Sequence, residues 1–422
     1  MNSKINELIF KNFKLIIFIF FYSSMLIGFY LDENITVGPK ADFLHHLKTL
    51  HSFDIDLKYA LLNYETIDGS TRISPIFLLY LFYLIFFFID IDLVRFVSMN
   101  IFLISPFIFY KCLKIKFKYV DRNLLFFFSF LLYLSPSFRG NVIWPESAML
   151  GFLFFLVSIY YFLKFERDKI FLFAILNIIF LSIAAYIRPS YCLFSLFFFM
   201  GFYREYLIGY KIFILFCINI LLSLPAFYYI FVLDVNFITP QIHSSSNLTY
   251  GITNKILIIS SIIFFYLFPF LITIYKFNKV KISYKEILIF SFISVVFYFL
   301  LVPNFHYNLG IGGGGIFLHI SHYFFNSNNV FFLISFFSII SICYILMIDT
   351  KKNFPLILIL FFLVPQTHIF HKYYDPILLV CIPLLFQISI DAIFKKKLLF
   401  ILSLYFFSFY LINLSNSLFI KF

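Results

Sequence analysis

Apolar stretches of about 17–25 residues, the length that spans the hydrocarbon core of a bilayer, recur along the whole chain. Short segments between them gather most of the charge. In hydrocarbon each backbone N–H and C=O must be satisfied within its own segment, so these runs are predicted to be helices. Alternation of polar and apolar residues is absent, which argues against a membrane barrel. The first run, Phe13 to Leu31, is too long for a signal segment and has no small-residue cleavage site, so it reads as a retained helix.

Charge gives these helices a direction. With Lys4, Lys11 and Lys14 inside, the first span delivers a long loop, 32–73, to the outer side. Two apolar runs follow, Ser74 to Ile89 and Phe96 to Tyr110. If both crossed, the densest basic cluster (Lys111, Lys114, Lys116, Lys118 and Arg122) would lie outside. Cytoplasmic loops carry the excess of Lys and Arg, so only one of the two runs is expected to cross. The run 74–91 is read as a juxtamembrane or re-entrant helix, and about 93–111 as the second span. Later spans are expected near 123–135, 148–163, on both sides of Arg188-Pro189, at 212–232, 256–275 and 287–302, and from near 330, 354, 374 and 398. The inner loops then hold 22 of the 32 Lys and Arg residues. The expected fold is all-α and polytopic, about 13 transmembrane helices with juxtamembrane helices in the first outer loop. Residues 1–235 form an N-terminal transmembrane module carrying that loop (32–92) and the catalytic candidates. Residues 236–422 supply C-terminal helices and further outer loops, within one integral membrane unit.

Composition narrows the class. The 422 residues are 63% hydrophobic and 12% charged, where soluble domains average about 25% charged. The net charge of +12 is spread over short loops and makes no stripe on one face, so it reads as a topology signal and no nucleic-acid partner is expected. The five cysteines have neither metal spacing nor a long loop to staple. All nine histidines (His45, His46, His51, His243, His306, His319, His322, His368, His371) fall in predicted outer loops or at outer helix ends. Avoidance of hydrocarbon explains their absence from the spans but not from the inner loops, which points to a polar outer cavity.

The outer segments carry the candidate chemistry. Pro39 suits a helix start, and Phe43, Leu44, Leu47 and Leu50 then share one face. Asp42, His45 and His46 lie in its first turns, where a carboxylate could serve as a general base or simply favour the helix dipole. The second outer loop, 135–147, reads SPSFRGNVIWPES and places Trp144, the only tryptophan, and Glu146 at the mouth of a span. A carboxylate there is costly to bury and is a functional candidate. Arg188 sits between two apolar runs, free to snorkel or to bind an anionic phosphate. Near the C-terminus PQTHIFHKYYDP sets Lys372 and Tyr374 among aromatics at an expected outer helix end. The glycines at 310 and 312–315 read as a hinge. His319-x-x-His322 is a weak metal pair, and the triplets Asp54–Asp56 and Asp90–Asp92 could hold a divalent cation.

This layout resembles the glycosyltransferase C superfamily, membrane enzymes that transfer sugars from polyprenyl- or dolichyl-phosphate carriers on the non-cytoplasmic face. The likeness rests on the Gly38-Pro39-Lys40-Ala41-Asp42 stretch after the first span, on juxtamembrane segments at 39–63 and from Ser74-Pro75, and on Arg95 heading the second span. Trp144-Pro145-Glu146, Arg188-Pro189 and Lys372-Tyr373-Tyr374 complete it. It covers about 1–235 well and the remainder in outline. The acidic pair usual at the start of the first loop is displaced: Asp32-Glu33 sit directly at the helix end, and Asp42 ten residues on.

The resemblance implies Asp42 as base, with Asp32 and Glu33 behind it, and Glu146 positioning the acceptor or a metal. It implies Arg188 and Lys372 stabilising the departing lipid phosphate, with His45, His46, Trp144, Tyr374 and Arg95 in the binding site. The implied partners are the bilayer, a polyprenyl-phosphate sugar and a surface-glycan acceptor of lipopolysaccharide or O-antigen type. The implied location is a bacterial inner membrane, with the site facing the periplasm. No metal-ligand set is assigned, and the cofactor is left open, with a divalent cation the candidate. An O-antigen or capsule polymerase is the first alternative; it would lean on Arg188 and Lys372 more than on Asp42. A lipid-glycan flippase is the second, and it predicts charges within spans and internal repeats.

Overall fold

The computed structural model describes residues 2–35, 38–68, 74–207, 209–232, 248–277, 291–293, 295–364 and 369–419. Among them every regular element is helical. Among the described residues, seven helical stretches are long and apolar enough to cross a membrane: Asn12–Tyr30, Ile91–Lys116, Ser147–Asp168, Tyr210–Val232, Gly251–Leu271, Asn329–Ile348 and Lys396–Leu414. Pro75–Phe88, Arg122–Leu134 and Phe171–Ile187 are shorter apolar helices. The protein is therefore a helical membrane protein. His243 and His368 lie outside the described residues.

The chain divides into two compact units, Met1–Phe237 with Phe394–Phe422, and Ile238–Ile393. The division differs from the one expected near 235, because the last helix packs with the first unit. The first unit begins with α1 (Asn2–Tyr30), α2 (Gly38–Ile55), α3 (Leu57–Asp68) and α4 (Pro75–Phe88). At 14 residues and about 1.5 Å per residue, α4 is too short to cross about 30 Å of hydrocarbon alone. Pro75 starts it, and Ile89, in the left-handed region at φ 64°, ends it. Asp90 caps α5 (Ile91–Phe102) at once by accepting from the Asp92 N–H, so α4 folds back on α5, with the Tyr80 hydroxyl on Ser98 Oγ at 3.1 Å.

The α5 helix steps at Leu103 and continues as α6 (Ser105–Lys116). Then come α7 (Arg122–Phe130), α8 (Pro136–Ile143), α9 (Ser147–Asp168) and α10 (Phe171–Ile187). They are followed by α11 (Phe194–Tyr206) and α12 (Tyr210–Phe227). The α8 helix is wholly buried, started by Pro136 and capped by Ser135 Oγ on the Phe138 N–H.

The second unit holds α13 (Leu248–Phe277), α14 (Gly315–Phe325), α15 (Asn329–Ile348), α16 (Thr350–Phe362) and α17 (Ile377–Leu384). The last helix, α18 (Lys396–Phe419), belongs to the first unit.

Residues 303–329, expected as an outer loop, instead run down the side of α13 and return. The Asn254 amide pairs with both backbone groups of His306, at 2.6 and 3.1 Å. Gly315 packs on Ile262, and the Phe317 ring lies 5.9 Å from Phe265. That is eleven residues of α13, about 16 Å of descent at the α-helical rise. α14 then climbs back, and Phe331 packs against Phe305 at 5.1 Å. Gly312 to Gly315 all have φ between 75° and 91°, a region side chains avoid. A Cβ on Gly313 would stand 2.8 Å from the Ile369 carbonyl. The run is thus a tightly packed bend rather than an open hinge. Non-helical backbone at such a depth survives only when its polar groups are satisfied. Here the Gly314 N–H donates to Ile369 O (2.8 Å), the Tyr307 hydroxyl to Gly312 O (2.8 Å), and His319 Nε2 to Gly313 O (2.7 Å).

A full span from near 374 does not form. The α17 helix has eight residues and contains Pro383, about 12 Å of helix. The chain beyond it is held by the buried Asn353 of α16. Its amide donates to Ile345 O and Gln387 O and accepts from the Gln387 N–H at 2.8 Å. Asn353→Leu should lower stability by about 1–3 kcal/mol for the buried backbone groups it orphans. Gln387→Ala, which keeps its backbone groups, should be near neutral. Thermal unfolding in detergent would compare them, and equal melting points would remove this tie from the account.

Candidate active site

The candidates of the first unit are organised around the end of α1. Glu33 follows Asp32, whose φ is 52°, and its N–H returns to Gly28 O at 2.8 Å. This reversal turns the Glu33 side chain back into the protein. There it meets Arg139 of α8 in a buried two-point contact, Nε to Oε1 at 2.7 Å and Nη2 to Oε2 at 2.6 Å. Arg139 also donates to Ser24 Oγ (2.7 Å) and Ser24 O (3.0 Å), and lies 4.9 Å from the Tyr410 ring of α18. Burial opposes charge on Arg139, but the hydrogen bonds and charge of Glu33 outweigh it and hold the guanidinium above its ordinary pKa. A Cβ at Gly28 would collide with the Glu33 carboxylate and press on Arg139 Nη2, so only glycine admits the pair.

A second cluster adjoins the first. The Trp144 indole N–H donates to Glu33 O at 3.2 Å. Arg95 of α5 stacks on Trp144 with Cζ 3.5 Å from the ring centroid, and faces Phe29 at 4.9 Å. It donates to Asp32 (2.9 Å) and Asp92 (2.8 Å). Lys40 lies 3.6 Å from Asp32 and 4.6 Å from the Trp144 centroid. Two cations, Arg95 and Lys40, thus meet two carboxylates, Asp32 and Asp92, around one indole. The charge is balanced, so the cluster acts as a scaffold rather than a cradle for an anion.

That scaffold sets the start of α2. The Lys40 N–H donates to Asn34 Oδ1 (3.3 Å), and the Phe43 ring lies 6.0 Å from Trp144. The buried face of α2 is Phe43, His46, Thr49, Leu50 and Phe53; Leu44, expected inside, is exposed. Asp42 and His45 are half-buried at its first turns. His46 is buried beside the edge of Phe77, 5.5 Å between centroids, and neither ring nitrogen has a hydrogen-bond partner among the described residues. Burial pushes its imidazole down to about 4, against a smaller raising effect of Asp42.

Glu146 is the half-buried residue ahead of α9. Arg188 ends α10 and begins the short turn Pro189–Leu193, its Cβ packed near Gly151 about one turn into α9. Arg95, Trp144, Asp42, His45, His46, Glu146 and Arg188 all belong to the first unit, with Arg95 on Trp144 and Arg188 beside α9.

Lys372 and Tyr374 belong to the second unit. They lie just ahead of α17, where the neighbouring His371 meets Tyr266 (3.1 Å), well along α13, and Phe370 packs on Gly312. Lys372 is half-buried, 6.0 Å from the Phe370 centroid. Tyr374 is fully buried with its hydroxyl on Leu360 O at 3.1 Å, a packing role. His319 and His322 turn their Nε2 atoms to Gly313 O and Asn328 Oδ1, not to a shared point. Asp56 and Asp90 of the two triplets cap α3 and α5.

The chain matches no protein-family model, no curated protein and no solved structure. What it does must therefore be argued from its own residues. Of those, Arg139 was visible only as one letter in the second outer loop. Its signal was the general one, an arginine between apolar runs with an acid needed to pair it. Tyr410 gave no signal.

Removing one partner of a buried pair leaves an uncompensated charge, at about 3–5 kcal/mol. Arg139→Met should therefore destabilise strongly, and Glu33→Gln with Arg139→Met should restore part of the loss in detergent melts. A double variant no better than the single would contradict the pairing.

For His46 the folded pKa of about 4 lies below the unfolded value of 6.5. Between these values the unfolded chain holds the extra proton, so the neutral-His contribution is full above pH 6.5 and is lost as pH falls toward 4, up to about 3 kcal/mol. His46→Leu should flatten that part of the melting-temperature profile from pH 7 to 4.5; an unchanged slope would refute the assignment.

Proposed function

We propose that the protein is a membrane glycosyltransferase that moves a sugar from a polyprenyl-phosphate carrier to a surface-glycan acceptor, of lipopolysaccharide or O-antigen type, on the non-cytoplasmic face. The topology that goes with this reading has a cytoplasmic N-terminus and a site facing the periplasm of an inner membrane. The observation that carries it is the ion-paired scaffold at the end of α1, which sets the start of the helix that bears Asp42. Glu33 is held by Arg139, and Asp32 by Arg95 and Lys40. Asp42, in the first turns of the helix that this scaffold positions, takes the base role that the resemblance implies. It accepts the proton of the acceptor hydroxyl as the oxygen attacks the anomeric carbon, and the bond to the lipid phosphate breaks toward the phosphate oxygen. Arg188 stabilises the departing phosphate, and Glu146 orients the acceptor. The leaving group is already anionic, so fixed cations suffice to assist it.

A transporter of a lipid-linked glycan is the second reading. It is favoured by the excursion 303–329 and the short α17, since broken helices packed midway along a span are a transporter feature. The two readings separate in one assay. Asp42→Asn, expressed to wild-type level, should abolish a sugar modification of the surface glycan, by at least the 10²–10⁴-fold typical of a lost general base, roughly. Full modification would sink the base assignment. Short, unpolymerised chains in its absence would favour a polymerase, and glycan retained on the inner leaflet would favour the transporter.

A further inference from the structure

Lys14, Tyr110 and Lys114 form a group at the opposite end of the first unit, which the outer-side reading does not use. Lys14 lies at the start of the span Asn12–Tyr30, and Tyr110 and Lys114 in the last turns of Ile91–Lys116. Lys14 Nζ donates to the Tyr110 hydroxyl at 3.2 Å and stands 5.4 Å from its ring centroid. Lys114 Nζ stands 5.5 Å from the same centroid. Lys14 is also 6.0 Å from the Phe126 centroid. Neither lysine has a carboxylate within ion-pair distance among the described residues.

Two like charges gathered on one ring repel each other unless an anion joins them. The ring face favours each cation but leaves its other N–H groups to be satisfied. The Tyr110 hydroxyl accepts from Lys14, so its own hydrogen remains to be donated. Two ammonium groups and a phenol are therefore three donors for one phosphate. Beside them an apolar strip runs along the seam of α1 and α6. Leu15, Ile19, Ile104 and Phe107 are exposed there, and the Phe18 and Phe107 rings are 5.8 Å apart.

We propose that this group binds the headgroup of an anionic phospholipid in the leaflet next to the basic loops. The phosphodiester lies against Lys14, Lys114 and Tyr110, and an acyl chain lies along the strip. The apolar strip selects a lipid over free phosphate. The paired ammonium groups select an anionic headgroup over a zwitterionic one, whose own cation they repel. The site is independent of the glycosyltransfer reading and stands or falls without it.

The test uses the full-length protein, delipidated in neutral detergent and titrated with phosphatidylglycerol or phosphatidylcholine under native mass spectrometry. The first phosphatidylglycerol should bind roughly 10–30-fold more tightly than phosphatidylcholine, the gain expected of two surface lysines. Lys14→Gln with Lys114→Gln should erase that preference, and Lys14→Arg with Lys114→Arg should keep it. Lys111→Gln with Lys118→Gln, an equal charge loss in the same cluster, should leave it within about twofold. Melting temperatures confirm folding of each variant. Equal loss in both glutamine pairs would mean diffuse attraction and overturn the site. So would retained preference in Lys14→Gln with Lys114→Gln, or displacement of the lipid by millimolar inorganic phosphate.

Discussion

The contact between Glu33 and Arg139 is the constraint on which the first unit depends. Each charge is expensive to remove from water, and neither could be left alone in a structure this apolar. Together they bond at two points, and Ser24 accepts two more of the guanidinium N–H groups. Because the pair has one geometry, it ties the end of α1 to α8 and sets Tyr410 of the last helix against both. The glycine at 28 is its spatial counterpart, since the room that a methyl group would need is occupied by the carboxylate. From this fixed point the backbone of Glu33 receives Trp144, and Trp144 receives Arg95. The placement of α2 and its acidic and imidazole groups follows from that chain of contacts.

The second unit answers a different problem. Its interruptions expose backbone polar groups, and nearby side chains close them: Asn254 on His306, Tyr307 on Gly312, Asn353 on Gln387. Each is a polar residue embedded in an apolar helix or loop, held because water is absent. An apolar cavity of about 340 Å³ lies in the same unit, lined by residues such as Ile256, Phe297, Ile342 and Phe361.

Hydropathy made the helical class legible, since a run of Phe, Ile and Leu long enough to cross leaves the backbone little choice. The α4 helix was legible as a short apolar run, closed off from the next by Asp90 and Asp92. The candidate site was legible only in part. Arg95, Trp144 and the acids near α1 stand out as polar letters in apolar text. Their partners do not, because Glu33 and Arg139 are 106 residues apart and nothing local couples them. The excursion at 303–329 was hidden for another reason. Glycine and histidine read as loop residues whether the loop meets water or packs on a helix, and only Asn254 and Ile369 decide which. Leu44 and Phe53 show the same limit on α2. Both suit an apolar face, and the choice between them is made by α4 and α8, which lie elsewhere in the chain.

The tie between Asn353 and Gln387 has a consequence for how the chain is made. The two residues are 34 apart, and ribosomes add about 5–20 residues each second. The amide of Asn353 thus emerges roughly 2–7 s before the backbone that satisfies it. During that interval α16 cannot settle in lipid alone without leaving a polar group bare. Until the later segment is made, the amide has only its bond to Ile345 O. The fold of α15 and α16 is therefore closed from the C-terminal side, by a stretch of chain that makes no full span of its own.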